Sequence, residues 1–186
     1  MTTNDVRDAL LTQIKNKAVV HGKVTLSSGI EADYYVDLRR VTLDGEAAPL
    51  VGQVLLDLVG EHGLEFDAVG GLTMGADPVA GAMLHASAAR GERLDAFVVR
   101  KAAKAHGMQK RVEGPEIKGR RVVVVEDTST TGGSPLEAVQ AVREAGAEVV
   151  AVVTIVDRAT GAAEKITEGA GVPYLFAFSK DELGLD

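Results

Sequence analysis

An α/β fold with a central parallel sheet and helices on both faces is predicted by three features of the chain. Strand-like and helix-like segments alternate along it. Two of the strand-like segments, VVVVE from residue 122 and EVVAVVTIVDR from residue 148, are almost unbroken apolar runs. Hydrophobic residues make up 46% of the sequence while aromatics make up only 4%, so Val, Ala and Leu have to build the core. A strand that is apolar on every residue must be buried on both sides, as strands are in parallel sheets under crossover helices. A chain of 186 residues removes roughly 70% of its surface from water on folding, enough for one domain spanning 1–186. No repeat, low-complexity tract or linker divides it.

The elements follow in order. Residues 5–17 put Val6, Leu10 and Ile14 on one helical face, with Asn4 as the expected cap. DYYVDLR at 33–39 reads as a strand, and 45–62 as a helix with an apolar stripe. FDAVGGL is a short strand ending in glycines, followed by the loop TMGAD and a helix whose Pro78 suits the first turn. LDAFVVR is a strand, and VEGPEIKGR implies turns. VVVVE is expected to end at Glu126 and Asp127. A helix then starts with Ser134 as N-cap, Pro135 at N1, Glu137 in a capping box and Gly146 as terminator. EVVAVVTIVDR, GAAEKITEG and PYLFAF complete the alternation as strand, helix and strand. Ligands of such sheets sit at the carboxyl ends of the strands, which directs attention to the loops after residues 71, 100, 126 and 157.

Composition removes several classes of function. With no cysteine there is no disulfide, thiolate nucleophile or Cys-ligated zinc. The start, MTTNDVRDALLTQI, does not read as a signal peptide, and no apolar stretch approaches the ~18 residues that span a bilayer. A cytoplasmic protein without a membrane partner is the expectation. A net charge of -7 argues against a general nucleic-acid binder. Against that acidic background, no acid lies between Asp95 and Glu113, where Arg100, Lys101, Lys104, Lys110 and Arg111 cluster around His106. A solvated basic loop explains the polarity of this stretch but not its lack of acids. It has no aromatic on which bases could stack.

VVVVEDTSTTGGS, residues 122–134, carries the strongest chemical signal. The amides of Thr131, Gly132 and Gly133, with those of the following first helical turn, form an anion nest, and the hydroxyls of Thr128, Ser129, Thr130 and Thr131 add to it. A phosphate monoester fits such a nest. Glu126 and Asp127 cannot serve that anion and need another part of the ligand, such as vicinal sugar hydroxyls or a magnesium ion. Alone, TTGGS reads as a solvated turn. An acid ending an apolar strand also fits a Walker B strand, but neither G-x-x-x-x-G-K-[ST] nor G-x-G-x-x-G occurs.

This segment resembles the phosphoribosyl-pyrophosphate (PRPP) motif of the type I phosphoribosyltransferases. The resemblance implies that family's fold, with a small hood formed by residues 1–40 and the C-terminal segment. It implies that Glu126 and Asp127 bind the ribose hydroxyls while Thr128, Ser129, Thr130, Thr131, Gly132, Gly133 and Ser134 wrap the 5-phosphate. RKAAKAHGMQKR is similar to the R-K-x-x-K-x-H-G loop of orotate phosphoribosyltransferases, implying that Arg100, Lys101, Lys104 and His106 meet the pyrophosphate of PRPP. Lys104 would be the main leaving-group cation and His106 its charge partner. Cations closing on a departing pyrophosphate are what the chemistry requires.

Three further segments resemble the same enzymes. LSSGIEADYYVDLR is similar to the hood region, implying that Tyr34 and Tyr35 border the base; for either tyrosine alone, a half-buried strand position explains it equally well. The family often has Lys at the position of Ser27 and Arg at that of Ile30. VDRATG implies that Arg158 meets the orotate carboxylate with Thr130 nearby, although a lone Arg after a strand is usually a surface charge. GGLTMGADPVA resembles the pyrophosphate loop, with Thr73 and Met74 offering amides; some relatives have Tyr-Lys there. The resemblance also implies Mg2+ held mainly through PRPP near Glu126 and Asp127, and a homodimer whose basic loop reaches the neighbouring site. His21, His62 and His85 lack metal-ligand spacing. A phosphoribosyltransferase for another base and a non-catalytic PRPP sensor remain open alternatives.

Overall fold

The computed structural model describes residues 2–25, 31–102 and 110–185. The chain opens with α1 (Thr3–Gln13), a π-helical turn (Ile14–Ala18) and a hairpin of β1 (Val19–Thr25) and β2 (Glu31–Val36). After α2 (Arg39–Thr42) and α3 (Ala47–Glu61) come β3 (Ala68–Leu72), α4 (Ala76–Ala89), β4 (Asp95–Val99) and β5 (Val112–Glu113). The second half runs through β6 (Arg121–Ser129), α5 (Gly133–Glu144), β7 (Glu148–Asp157), α6 (Ala162–Ala170) and β8 (Tyr174–Ser179), ending in a 3-10 turn (Asp181–Leu183).

The six-stranded sheet has the order β5-β4-β3-β6-β7-β8 and is parallel except for the short antiparallel edge β5. Its valine run explains its two-sided burial. Successive side chains of a strand point to opposite faces; Val123 and Val125 enter the core made with α1, α3 and α4, and Val122 and Val124 the core made with α5 and α6. Both cores are aliphatic, as the composition requires, with Phe97 and Phe178 as their buried aromatics. The C-terminal turn is fastened to α1 by Arg7, which donates to Glu182 at 2.6 Å and to the Ala177 carbonyl at 2.7 Å.

The parallel sheet and its flanking helices match the sequence expectation, and several boundaries differ from it. The cap of α1 is Thr2, not Asn4, because Thr2 and Asp5 complete a reciprocal capping box. The strand expected over 33–39 stops at Val36; Asp37 then accepts from the Arg39 amide and the chain turns into α2. β1 and β5 are strands that periodicity did not reveal, β5 because two residues carry no pattern. β6 continues past Asp127 to Ser129, still paired with β7 through Thr128↔Val156 and Ser129↔Asp157.

Close strand approach at β3 depends on glycine. A Cβ on Gly71 would stand 2.1 Å from the Val125 carbonyl oxygen and 2.7 Å from Ala76 Cβ. Neither neighbour is a flexible side-chain end, so the strand would have to move. Gly71→Ala is therefore expected to destabilise the fold by about 1–3 kcal/mol, an ordinary overpacking cost. Urea unfolding checks it; an unchanged midpoint would contradict the packing described.

Candidate active site

The strand order locates the site. The chain lays down β3, adds β4 and β5 on one side, then places β6, β7 and β8 on the other, so the topological switch point lies between the carboxyl ends of β3 and β6. Glu126 and Asp127 stand on the β6 side of this crevice, and Thr73, Met74 and Gly75 follow β3. The two sides touch. A Cβ on Gly75 would lie 2.1 Å from Glu126 Oε1 and 3.1 Å from Asp127 Oδ1, so the backbone after β3 stands directly against the carboxylates.

Burial sets the electrostatics. Glu126 is 7% exposed, and loss of water, followed by the charge of Asp127, pushes its carboxyl up to about 8. Burial raises Asp127 as well, opposed by the Thr128 amide, which donates to Asp127 Oδ1 at 2.7 Å, and by the charge of Arg39. Arg39 is held by Asp37 at 2.9 Å just past β2. A third carboxylate, Asp77, accepts the Thr73 hydroxyl on Oδ2 at 2.6 Å; its Oδ1 is buried with no hydrogen-bond partner among the described residues. Such a set accepts hydrogen bonds from hydroxyls and offers hard oxygens to a cation. Sequence reasoning missed Asp37, Arg39 and Asp77, since no motif joins them to residue 126.

Beyond Ser129 the chain makes its loop and enters α5. The expected cap is corrected here: the helix begins at Gly133, with Gly132 at φ +73° in the cap position and no side-chain cap. Ser134 and Pro135 fall inside the first turn. The glycine pair lets the chain reverse early, and Glu137 pairs instead with Arg111 at 2.5 Å. The amides of Gly133 and Ser134 have no acceptor within the helix and point out of its exposed N-terminus beside Thr130 and Thr131. That is the geometry of an anion nest. Two of its expected hydroxyls are committed elsewhere. Thr128 donates to the Val156 carbonyl, and Ser129, 1% exposed, donates to Asp157.

The turn that carries Arg158 is joined to the loop that carries Thr130. Thr160 Oγ1 donates to the Thr130 carbonyl, linking the segment after β7 to the one after β6. Tyr34 and Tyr35 are adjacent on β2 and so face opposite ways; Tyr34 packs against the core with α1 and α3. Of the basic segment, Arg100 pairs with Glu113 at 3.5 Å, while Lys101 is exposed. Lys104, His106, Ser27 and Ile30 lie outside the described residues. The stretch lacks acids of its own, yet the fold supplies Glu113 and Glu137 to its two ends.

A model of the phosphoribosyl transferase domain matches residues 45–172. The orotate phosphoribosyltransferase of Streptomyces avermitilis is 85% identical, across 98% of this chain and 100% of its own length. The crystal structure of Mycobacterium tuberculosis orotate phosphoribosyltransferase with Fe(III) dicitrate superposes at a TM-score of 0.87 and 56% identity, covering 97% of this chain and 99% of that one. The same enzyme in complex with PRPP gives a TM-score of 0.83 at 49% identity, with the same coverage.

Burial of Glu126 predicts a pH dependence. Its folded-state pKa is raised above the unfolded value, so its contribution is fully present below the unfolded pKa of 4.5 and is lost as pH rises toward 8. Glu126→Gln removes that titration. Between pH 5 and 9 the wild-type Tm should fall relative to that of the variant, by about 2–4 °C for each kcal/mol lost. Parallel Tm profiles would show that the carboxyl is not perturbed.

Proposed function

The chain belongs to the phosphoribosyltransferase family, among its orotate phosphoribosyltransferases, and from that premise we infer how its residues divide the reaction. The enzyme transfers the 5-phosphoribosyl group from PRPP to orotate, giving orotidine 5-monophosphate and pyrophosphate in pyrimidine synthesis. A bond forms between an orotate ring nitrogen and the anomeric carbon. The bond from that carbon to pyrophosphate breaks, and its electron pair leaves with the pyrophosphate. Positive charge therefore grows on the sugar while negative charge grows on the leaving group.

The observation that carries the assignment of parts is the juxtaposition of a carboxylate pair and a helix N-terminus at the switch point. Glu126 and Asp127 accept the ribose hydroxyls, while the amides from Thr131 to Ser134 and the hydroxyls of Thr130 and Thr131 hold the 5-phosphate. Thr73 and Met74 lie against the pyrophosphate, and Arg158 meets the orotate carboxylate as a two-pronged donor, with Thr130 and one tyrosine of β2 at the base. Arg100, Lys101, Lys104 and His106 oppose the charge that builds on the leaving group.

The hard carboxylate oxygens of Glu126, Asp127 and Asp77 suit Mg2+, although among the described residues no three acids or histidines are arranged to enclose a metal. This fits a cation held mainly by PRPP. When bound, Mg2+ supplies positive charge beside the pyrophosphate oxygens. The β1–β2 hairpin and the C-terminal turn form the hood over the base. The active unit is a homodimer in which the basic loop serves the neighbouring site, and exposed Met74 and Leu43 offer apolar surface for such contact. No helix among the described residues is long and apolar enough to cross a membrane, and the protein works in the cytoplasm without a nucleic-acid partner.

Turnover of PRPP with orotate, uracil, adenine, guanine and nicotinate in parallel tests the function: product is expected with orotate alone. Turnover only with a purine would overturn the assignment, and the absence of turnover with every one of these bases would favour a PRPP sensor. Lys104→Ala should lower kcat by about 100-fold or more with little change in PRPP affinity, as expected for an interaction made in the transition state. Equal losses in both would reduce Lys104 to a ground-state contact.

A further inference from the structure

A buried polar cluster sits behind the site, on residues far apart in sequence. Tyr174 Oη lies 2.6 Å from Ser129 Oγ, 2.9 Å from Thr154 Oγ1 and 3.1 Å from Asp157 Oδ1. Ser129 Oγ lies 3.0 Å from the same Asp157 oxygen. Thr154, Ser129 and Asp157 are 0%, 1% and 7% exposed, and their groups stand among valines at the ends of β6 and β7. Burying three polar side chains and half-burying a fourth, Tyr174, costs free energy unless their hydrogen bonds are made.

The three hydroxyls share three protons among four contacts. Ser129 and Tyr174 approach the same Asp157 oxygen at 3.0 and 3.1 Å, and either hydroxyl can donate across the contacts Tyr174 makes with Ser129 at 2.6 Å and Thr154 at 2.9 Å. The cluster thus converges on Asp157 Oδ1, whose partner oxygen Oδ2 accepts the Ala159 amide at 3.1 Å.

That last bond reaches the functional loops. Ala159 has φ +53°, a left-handed conformation that costs a non-glycine residue free energy, and it follows Arg158 directly. The Asp157 carboxyl holds this turn. Ser129 is the last residue of β6, and the phosphate loop begins beside it. One cluster thus fixes both the exit of the loop assigned to the 5-phosphate and the turn that carries Arg158.

We propose that Tyr174 is a positioning residue that sets the phosphate loop and the Arg158 turn together, through Ser129 and Asp157, while touching neither substrate. The proposal rests on the reading of the site as an orotate phosphoribosyltransferase. Without the tyrosine hydroxyl, Ser129 and Thr154 lose a shared partner and both loops gain freedom. The two substrates are then held less firmly at once.

Steady-state kinetics of Tyr174→Phe, with PRPP and orotate varied in turn, test this. KM for both substrates should rise by about three- to ten-fold, the worth of an ordinary buried hydrogen bond, while kcat changes by less than about two-fold. Ser129→Ala should give the same pattern, and the double variant should be no worse than either single one. Arg120→Ala serves as the stability control: Arg120 donates to Asp95 and to the Asp67 carbonyl, each at 2.8 Å, at the amino ends of the strands and so away from the site, and its loss should lower Tm with both KM values unchanged. Unchanged KM values in Tyr174→Phe, a rise for one substrate alone, or a loss confined to kcat would each overturn the proposal. Should Tyr174→Phe fail to fold, Ser129→Ala decides the question by the same criteria. If the wild type does not turn over orotate, the functional reading fails, and PRPP titration calorimetry of the same variants still decides whether Tyr174 positions the phosphate loop.

Discussion

Glu126 loses nearly all its hydration at the end of β6, and Asp127 adds the repulsion of a like charge beside it. Such a pair is expelled toward water or neutralised, and the carboxyl of Glu126, pushed up to about 8, takes the second course near neutral pH. The surroundings keep both side chains in place. Gly75 presses its backbone against the carboxylates from the β3 side, the Thr128 amide binds Asp127, and Arg39 faces it from just beyond the N-terminal hairpin. On the proposed assignment, the hydroxyls of a bound ribose would give these buried oxygens hydrogen-bond donors.

The rest of the architecture serves that arrangement. β6 and β7 are buried on both faces and stay paired as far as Ser129 and Asp157, so the loops leaving them start from paired strand ends. Reversal of strand order between β3 and β6 opens the crevice in which those loops meet. The proposed ligand, with hydroxyls at one edge and a phosphate at the other, would use both the acids of β6 and the amides at the N-terminus of α5.

Much of this was legible in the sequence because it is local. The valine run, the two acids and the loop of small residues are contiguous, and their physical meaning follows from their order. The central sheet could be read for the same reason, since long apolar runs dominate β6 and β7. What could not be read depends on distance or on detail below a residue's pattern. Tyr174 meets Ser129 across a gap that no periodicity records, and Asp77 joins the acids only through the fold. β5 is two residues long. Ser134 has the composition of a cap, yet Gly132 takes the position because its φ of +73° lets the helix start sooner. Tyr34 and Tyr35 look like a pair in the sequence and are separated by the alternation of the strand.

On the proposed assignment, the carboxylates of β6 recognise the hydroxyls of a ribose whose phosphate sits at α5. Titration calorimetry comparing ribose 5-phosphate with 2-deoxyribose 5-phosphate, on the wild type and on Asp127→Asn, decides whether they do. The ribose ester should bind the wild type about ten-fold more tightly, the worth of a hydrogen bond to a charged group, and the difference should shrink in the variant. Equal affinity of the wild type for both esters would contradict the account.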